Sequence, residues 1–409
     1  MPSSLSAWPR WIRERGPHAN AGTYSVRMRE PSQTAIGTWS GGRYLHFGET
    51  IEAERLEALL APGSGLDTLL TADAYGAGEA DRLLGRALAG AKRADYCLIG
   101  AIGHDFYEGE RDGPRGFPRF TDRALRGAGG TDYADYVRMA TERSLQRLGV
   151  DAFDVLLLHN PDRTGFTSEA VWEALRAVRD AGLTRRLGVA PGPANGFTLD
   201  VIDCFERFGE LIDWAMVILN PFEPWPGELC LAAAREHDVR VITRVVDYGG
   251  MFWDDVQPGH AFAPRDHRTF RPDGWVDAGA HKLERLRPIA KRHGLTTLQL
   301  AVQWCLAHDA VACAVPTLIQ EPGGRPIEDK RAELLATPPE PLLAPQEVAE
   351  IRAIGDNTGS MALKGGGPDH EGEPRPDRWS LSPELDAVAR RWGIDPDHDL
   401  RQLTAAARG

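Results

Sequence analysis

Acidic, basic and cationic side chains recur in this chain just after short apolar runs, where strands would deliver them to a common rim. The run FDVLLLHNPD ends in His159, followed by Asn160, Pro161 and Asp162. An imidazole there can take or give a proton near neutral pH, although a lone histidine behind an apolar strand is more often structural. His104, Asp105, Tyr107 and Glu108 follow a second run, Glu223 and Trp225 a third, and Arg244, Asp247 and Tyr248 a fourth. With Asp73 these supply acids, bases and a cation, enough for proton abstraction beside a carbonyl or for a β-elimination without redox chemistry. The histidines and carboxylates could also hold a metal. No close spacing such as His-Glu-x-x-His is present, so no metal is expected.

The elements that must position these groups follow from periodicity. Eight β-rich runs alternate with helical patterns: Ile36 to Trp39, Leu66 to Ala72, Tyr96 to Ile102, Phe153 to His159, Arg186 to Ala190, Trp214 to Leu219, Val239 to Arg244 and Val311 to Val315. Helices are expected at Tyr133 to Gly149 and Ser168 to Gly182, each ending near a glycine. Eight strands each followed by a helix predict an α/β fold, a (β/α)8 TIM barrel with its site on the loops at the carboxyl ends. Long loops are expected after the third strand (His104 to Gly130) and the seventh (Val245 to Ala280). The expected organisation is an N-terminal segment over residues 1–35, a barrel over 36–355, and a C-terminal extension over 356–409 packed on it. The Trp and Phe residues of the loops suggest walls for a cyclic or sugar-like molecule.

Several ordered motifs carry a resemblance: GTW (Gly37 to Trp39), ADAYGAGEADRLLGRAL, SLQRLGVDAFDVLLLHNPD and LTTLQLAVQWCLAHDAVACAVP. Together they span about Ile36 to Ile354 and resemble the aldo-keto reductase family. The resemblance implies an NAD- or NADP-dependent oxidoreductase acting on a carbonyl or alcohol, with Tyr75 as proton donor and His159 orienting the carbonyl. Where the family has its Asp and Lys, this chain has Leu70 and Ala101. A free phenol titrates near ~10 and a nearby cation lowers that by roughly 1–3 units, so a replacement cation is needed. Arg244 is the candidate, with Tyr75 and His159 expected to face one another and Asp73 nearby.

The resemblance implies cofactor contacts at Gly37, Thr38 and Phe222, and at Arg325, Lys330 and Arg331 after the eighth strand. Those three cations equally suit a solvated helix face. Ala190, Pro191 and Leu219 stand where the family holds the nicotinamide carboxamide, and none carries a side-chain hydrogen-bonding group. His104, Tyr107, Trp225 and Tyr248 are the expected substrate contacts. The alternative is a non-redox lyase, dehydratase or isomerase on the same scaffold.

Composition sets the remaining expectations. The chain has 409 residues with 42% hydrophobic and 26% charged, enough to bury a sizeable core. A net charge of −12 opposes nucleic acid and anionic lipid as partners and leaves a small-molecule substrate. The first twenty residues hold no continuous apolar run, so neither a signal peptide nor a membrane span is expected, and the cytoplasm is the expected compartment. Five cysteines far apart in sequence read as packing thiols.

Overall fold

Alternation inside each apolar run decides which side chains fill the barrel and which meet the helices. A computed structural model describes residues 29–63, 65–111, 116–121, 133–192, 197–358 and 381–400. In β4 (Phe153–His159), Val155 and Leu157 face the interior while Leu156 and Leu158 face the helical layer. The remaining strands are β1 (Ile36–Gly37), β2 (Thr68–Leu70), β3 (Cys97–Ile102), β5 (Thr184–Ala190), β6 (Ile212–Ile218), β7 (Arg240–Arg244) and β8 (Val311–Val315). All neighbouring pairs are parallel, in the order β1-β2-β3-β4-β5-β6-β7-β8. The segment before β1 closes the circle on β8: Ala35 N donates to Ala314 O at 3.3 Å and Ala314 N to Gln33 O at 2.8 Å. The chain is a (β/α)8 TIM barrel.

Two cores result. Inside the barrel, Leu70, Ala101, Val155, Leu157, Ala190 and Met216 belong to one apolar cluster. Outside, side chains such as Leu98, Leu156, Trp172 and Phe205 pack between strands and helices. The expected helices run over Tyr133–Leu148 and Glu169–Asp180. Gly149 ends the first at φ 69°, a conformation that costs glycine nothing. After β7 the loop is shorter than expected, because an 18-residue helix begins at Trp275 behind Gly274 at φ 74°.

The C-terminal helix Pro383–Arg391 packs on Thr198–Phe208, with Trp392 Nε1 donating to Glu206 at 2.9 Å and Arg391 pairing with the same carboxylate. Residues 1–28, parts of the loop after β3 (112–115 and 122–132) and residues 359–380 lie outside the described residues. The long loop expected after β3 and the expected C-terminal extension fall partly among them. No helix among the described residues is long and apolar enough to cross a membrane. All five cysteines are buried free thiols.

Candidate active site

The turn after β2 presents Tyr75 to the barrel mouth. Tyr75 N donates to Ala72 O at 3.0 Å, and the chain reverses through Gly76 (φ 58°), Ala77 (φ 51°) and Gly78 (φ 91°). The His159 ring, carried by the last residue of β4, meets Tyr75 edge to face with centroids 5.7 Å apart. Trp39, two residues past β1, flanks the phenol at 6.3 Å, and it can fold there because Gly37 lies beneath it: a Cβ at Gly37 would come within 2.2 Å of the indole. A Cβ at Gly103 would likewise stand 2.2 Å from His159 O, so β3 approaches His159 closely only through a glycine.

Beneath this pair the floor is apolar. Leu70 and Ala101, 1% and 8% exposed, both lie in the interior cluster, so the places of the expected Asp and Lys hold hydrocarbon. Burial pushes the Tyr75 phenol above its ordinary value, while the Arg244 guanidinium pulls the other way. Arg244, the last residue of β7, reaches across the mouth to donate to Pro191 O at 3.2 Å and to Gly192 O.

His159 is held well below the usual imidazole range, by burial first and then by His104, Arg244 and Arg119. It is therefore neutral near pH 7. Its Nδ1 is buried with no hydrogen-bond partner among the described residues. His104 stands 5.3 Å from it, ring to ring. Asn160 Nδ2 lies 3.0 Å from His104 Nε2 and Phe117 O lies 3.0 Å from Nδ1, so the network assigns the His104 proton to Nδ1. Arg119 Nε donates to Asn160 O at 2.5 Å, adding a second cation beside His159.

Asp73 and Tyr107 turn elsewhere, which corrects their expected place at the mouth. Asp73 is fully buried, with Oδ2 3.5 Å from the Tyr107 hydroxyl and Oδ1 unpartnered among the described residues. Arg147 donates to Tyr107 Oη at 3.0 Å and to Asp81 at 2.9 Å, and Asp81 also accepts from Thr71 and Ser144. Burial and the Asp81 charge raise Asp73 well above the usual carboxylate range. The group joins a sealed polar cluster under the helices.

Most of the residues expected to hold a cofactor also turn inward. Thr38 is fully buried with its hydroxyl 3.4 Å from Thr71 Oγ1. Phe222, 1% exposed, packs against Phe252 at 4.5 Å and Tyr248 at 5.2 Å, so no ring face is offered to a ligand. Lys330 is fully buried, pairing with Asp255 and donating to Ile319 O. Arg331 Nε donates to Leu59 O at 3.0 Å, and Arg325 pairs with Glu333 at 2.5 Å with 38% of its side chain exposed.

Two expected substrate contacts are likewise covered. Trp225 donates from Nε1 to Asp399 O and is bracketed by Asn357, which bonds both its N (3.0 Å) and its O (2.8 Å). Tyr248 lies under Arg271, whose guanidinium is 4.1 Å from the ring centroid, and burial pushes its phenol up to about 12 against that cation. Sequence reasoning missed Trp39, Asn160 and Arg119 as site residues. The first two stand inside quoted motifs, whereas nothing in the sequence singles out Arg119 among the arginines of its loop.

The Aldo/keto reductase family profile matches residues 34–321. A probable voltage-gated potassium channel subunit beta of Oryza sativa subsp. japonica is 24% identical over 349 residues, 82% of this chain and 96% of that protein. Aldo-keto reductase YhdN of Bacillus subtilis is 24% identical over 283 residues, 68% of this chain and 78% of that protein. Among solved structures, the glycerol dehydrogenase AKR11B4 from Gluconobacter oxydans superposes with TM-score 0.60 at 20% identity, covering 79% of this chain and 91% of that one. The holo form of aldo-keto reductase AKR11C1 from Bacillus halodurans gives 0.55 at 21% identity, covering 80% and 95%.

Proposed function

Because the chain belongs to the Aldo/keto reductase family, we propose that it is an oxidoreductase-type enzyme acting on the carbonyl or alcohol of a small molecule at the Tyr75–His159 mouth. The observation that carries this reading is the pairing of the Tyr75 phenol with a neutral imidazole 5.7 Å away, above an apolar floor and beside the Arg244 cation. The Tyr75 hydroxyl gives its proton to the carbonyl oxygen as negative charge develops there. A neutral His159 donates a ring N–H to the same oxygen and orients it. Arg244 stabilises the phenolate left behind, which is the work of the missing lysine.

Such a reduction would need a hydride donor, which a bound nicotinamide nucleotide, NAD or NADP, would supply. The side chains present do not fit that group well. Ala190, Pro191 and Leu219 carry no side-chain donor, and Phe222, Thr38 and Lys330 are buried against their own chain. The same observation favours a second reading, in which Tyr75 and His159 move protons alone, in an elimination or isomerisation next to a carbonyl.

Titration of the purified protein with NADPH and NADH, followed by nicotinamide fluorescence, separates the two. Saturable binding at micromolar cofactor supports the oxidoreductase. An absence of binding up to about millimolar, where functional KM values end, retires it and leaves the proton-transfer reading.

A further inference from the structure

The turn that presents Tyr75 also takes part in a second site. The Tyr75 ring meets His159, whereas Gly76, the next residue, lies against the ring of Tyr44 in the loop after β1: a Cβ at Gly76 would come 2.8 Å from that ring. At this contact a groove of about 400 Å³ opens between that loop and the helices Ala53–Leu60 and Glu79–Leu88. A volume of this size takes a small molecule.

The lining combines hydrocarbon with charge. Ala53, Leu83 and the Tyr44 ring supply the apolar part, and all three belong to or pack on the core between strands and helices. Arg43, Thr50, Glu79 and Arg86 supply the polar part. Glu79 is already held by Arg82 at 2.6 Å, and Arg86 by Glu57 at 2.5 Å. Arg43 differs from both, because it has no carboxylate partner among the described residues. It stands beside the Tyr44 phenol, and its Nη1 lies 3.4 Å from Ile51 O, longer than an ordinary N–H···O bond. A guanidinium carries five donors in a planar fork, so most of the hydrogen-bonding capacity of Arg43 is left for whatever enters the groove.

This lining selects a ligand class. The guanidinium fork matches a carboxylate through two parallel bonds. A second negative charge would meet the Glu79 carboxylate, which disfavours a phosphate dianion. The hydrocarbon of Tyr44, Ala53 and Leu83 suits a ring or a branched chain. We infer that the groove binds a small monocarboxylate with an aromatic or branched apolar body, at a site separate from the Tyr75–His159 mouth. The carboxylate lies on Arg43 and the body against Tyr44 and Leu83. Seated there, the ligand presses on Tyr44 and, through Gly76, on the turn that holds Tyr75.

Calorimetric titration of the full chain with benzoate, with benzamide and with inorganic phosphate tests this without requiring turnover. Benzoate is expected to bind at millimolar concentration or below, about tenfold or more tightly than benzamide, its neutral equal in shape, and more tightly than phosphate. Arg43→Gln should bring benzoate down to the level of benzamide, and Arg43→Lys should restore part of the difference. Arg43 is exposed, so the urea midpoint of both variants should match that of the parent. Tyr75→Phe should leave benzoate binding unchanged. Benzamide binding as tightly as benzoate, phosphate binding more tightly, no benzoate binding at millimolar concentration, or an affinity indifferent to Arg43→Gln would overturn the proposal. A loss in Tyr75→Phe as large as that in Arg43→Gln would overturn it too, since the carboxylate would then lie in the mouth.

Discussion

The loops after β2, β3 and β4 and those after β6, β7 and β8 use their polar side chains in different ways. On the first side, Tyr75, His159 and His104 gather with rings 5.3 to 5.7 Å apart, and a large polar cluster around Asp81 and Arg147 is sealed under the helices. On the second, nearly every charged group has found a partner in its own neighbourhood. Arg268, 2% exposed, holds both Asp266 and Glu321; Arg271 holds Glu223; Lys330 holds Asp255. One half of the rim keeps groups suited to moving protons, while the half where a dinucleotide is expected is filled by the chain's own ion pairs. Shared ancestry of a barrel does not oblige its two halves to keep the same job.

The largest expected effect tests the first half. Tyr75→Phe keeps the ring and removes the hydroxyl, and turnover on a competent substrate should drop ~10²–10⁴-fold in steady-state kinetics. A variant within a few-fold of the parent would leave that half with packing as its only role.

Next comes the second half. Arg268→Met leaves two buried carboxylates without their cation, and breaking a buried pair in this way costs about 3–5 kcal/mol. Urea unfolding should show that loss; an unchanged midpoint would mean the loop ion pairs do not hold this side closed.

The smallest effect concerns the sealed cluster. Asp73 is raised well above its ordinary value by burial and by Asp81, so between its unfolded and folded values the folded chain keeps a proton that the unfolded chain has released. The folded state then binds more protons, and this group's contribution to stability is present below about pH 4 and is lost as pH rises through the folded value. Asp73→Asn cannot ionise. It should be more stable than the parent near pH 7.5 and lose that advantage near pH 3.5, as read by unfolding at both pH values. A variant less stable at pH 7.5 would show that the carboxylate is ionised and bonded.

The barrel was legible because strands buried on both faces write continuous apolar runs. β4 and β8 have the expected ends, Phe153–His159 and Val311–Val315. Strand-end position also sufficed to bring Tyr75 near His159, since a closed barrel converges its carboxyl ends. Which way a loop side chain turns was not legible. Phe222 is covered by Phe252 and Tyr248, 26 to 30 positions on, Trp225 by Asn357 and Asp399, and Lys330 by Asp255. In each case the partner belongs to a distant segment, and local spacing carries no trace of it. The same holds for Arg119, whose value depends on a contact with Asn160.

The five unpaired cysteines make the barrel its own clock. Cys97 and Cys313 lie inside it, whereas Cys204, Cys230 and Cys305 lie between strands and helices. Burial pushes the Cys97 thiol well above its ordinary value and those of Cys230 and Cys305 up to about 12, so almost no thiolate is present in the closed fold. An alkylating reagent must then wait for the protein to open, and each site reports its own kind of opening. Modification of the outer three can follow a helix lifting away, but Cys97 and Cys313 become reachable only when neighbouring strands part. The interval between the two classes of labelling measures how much of the barrel's persistence resides in its closed ring of strands, and how much in the helices around it.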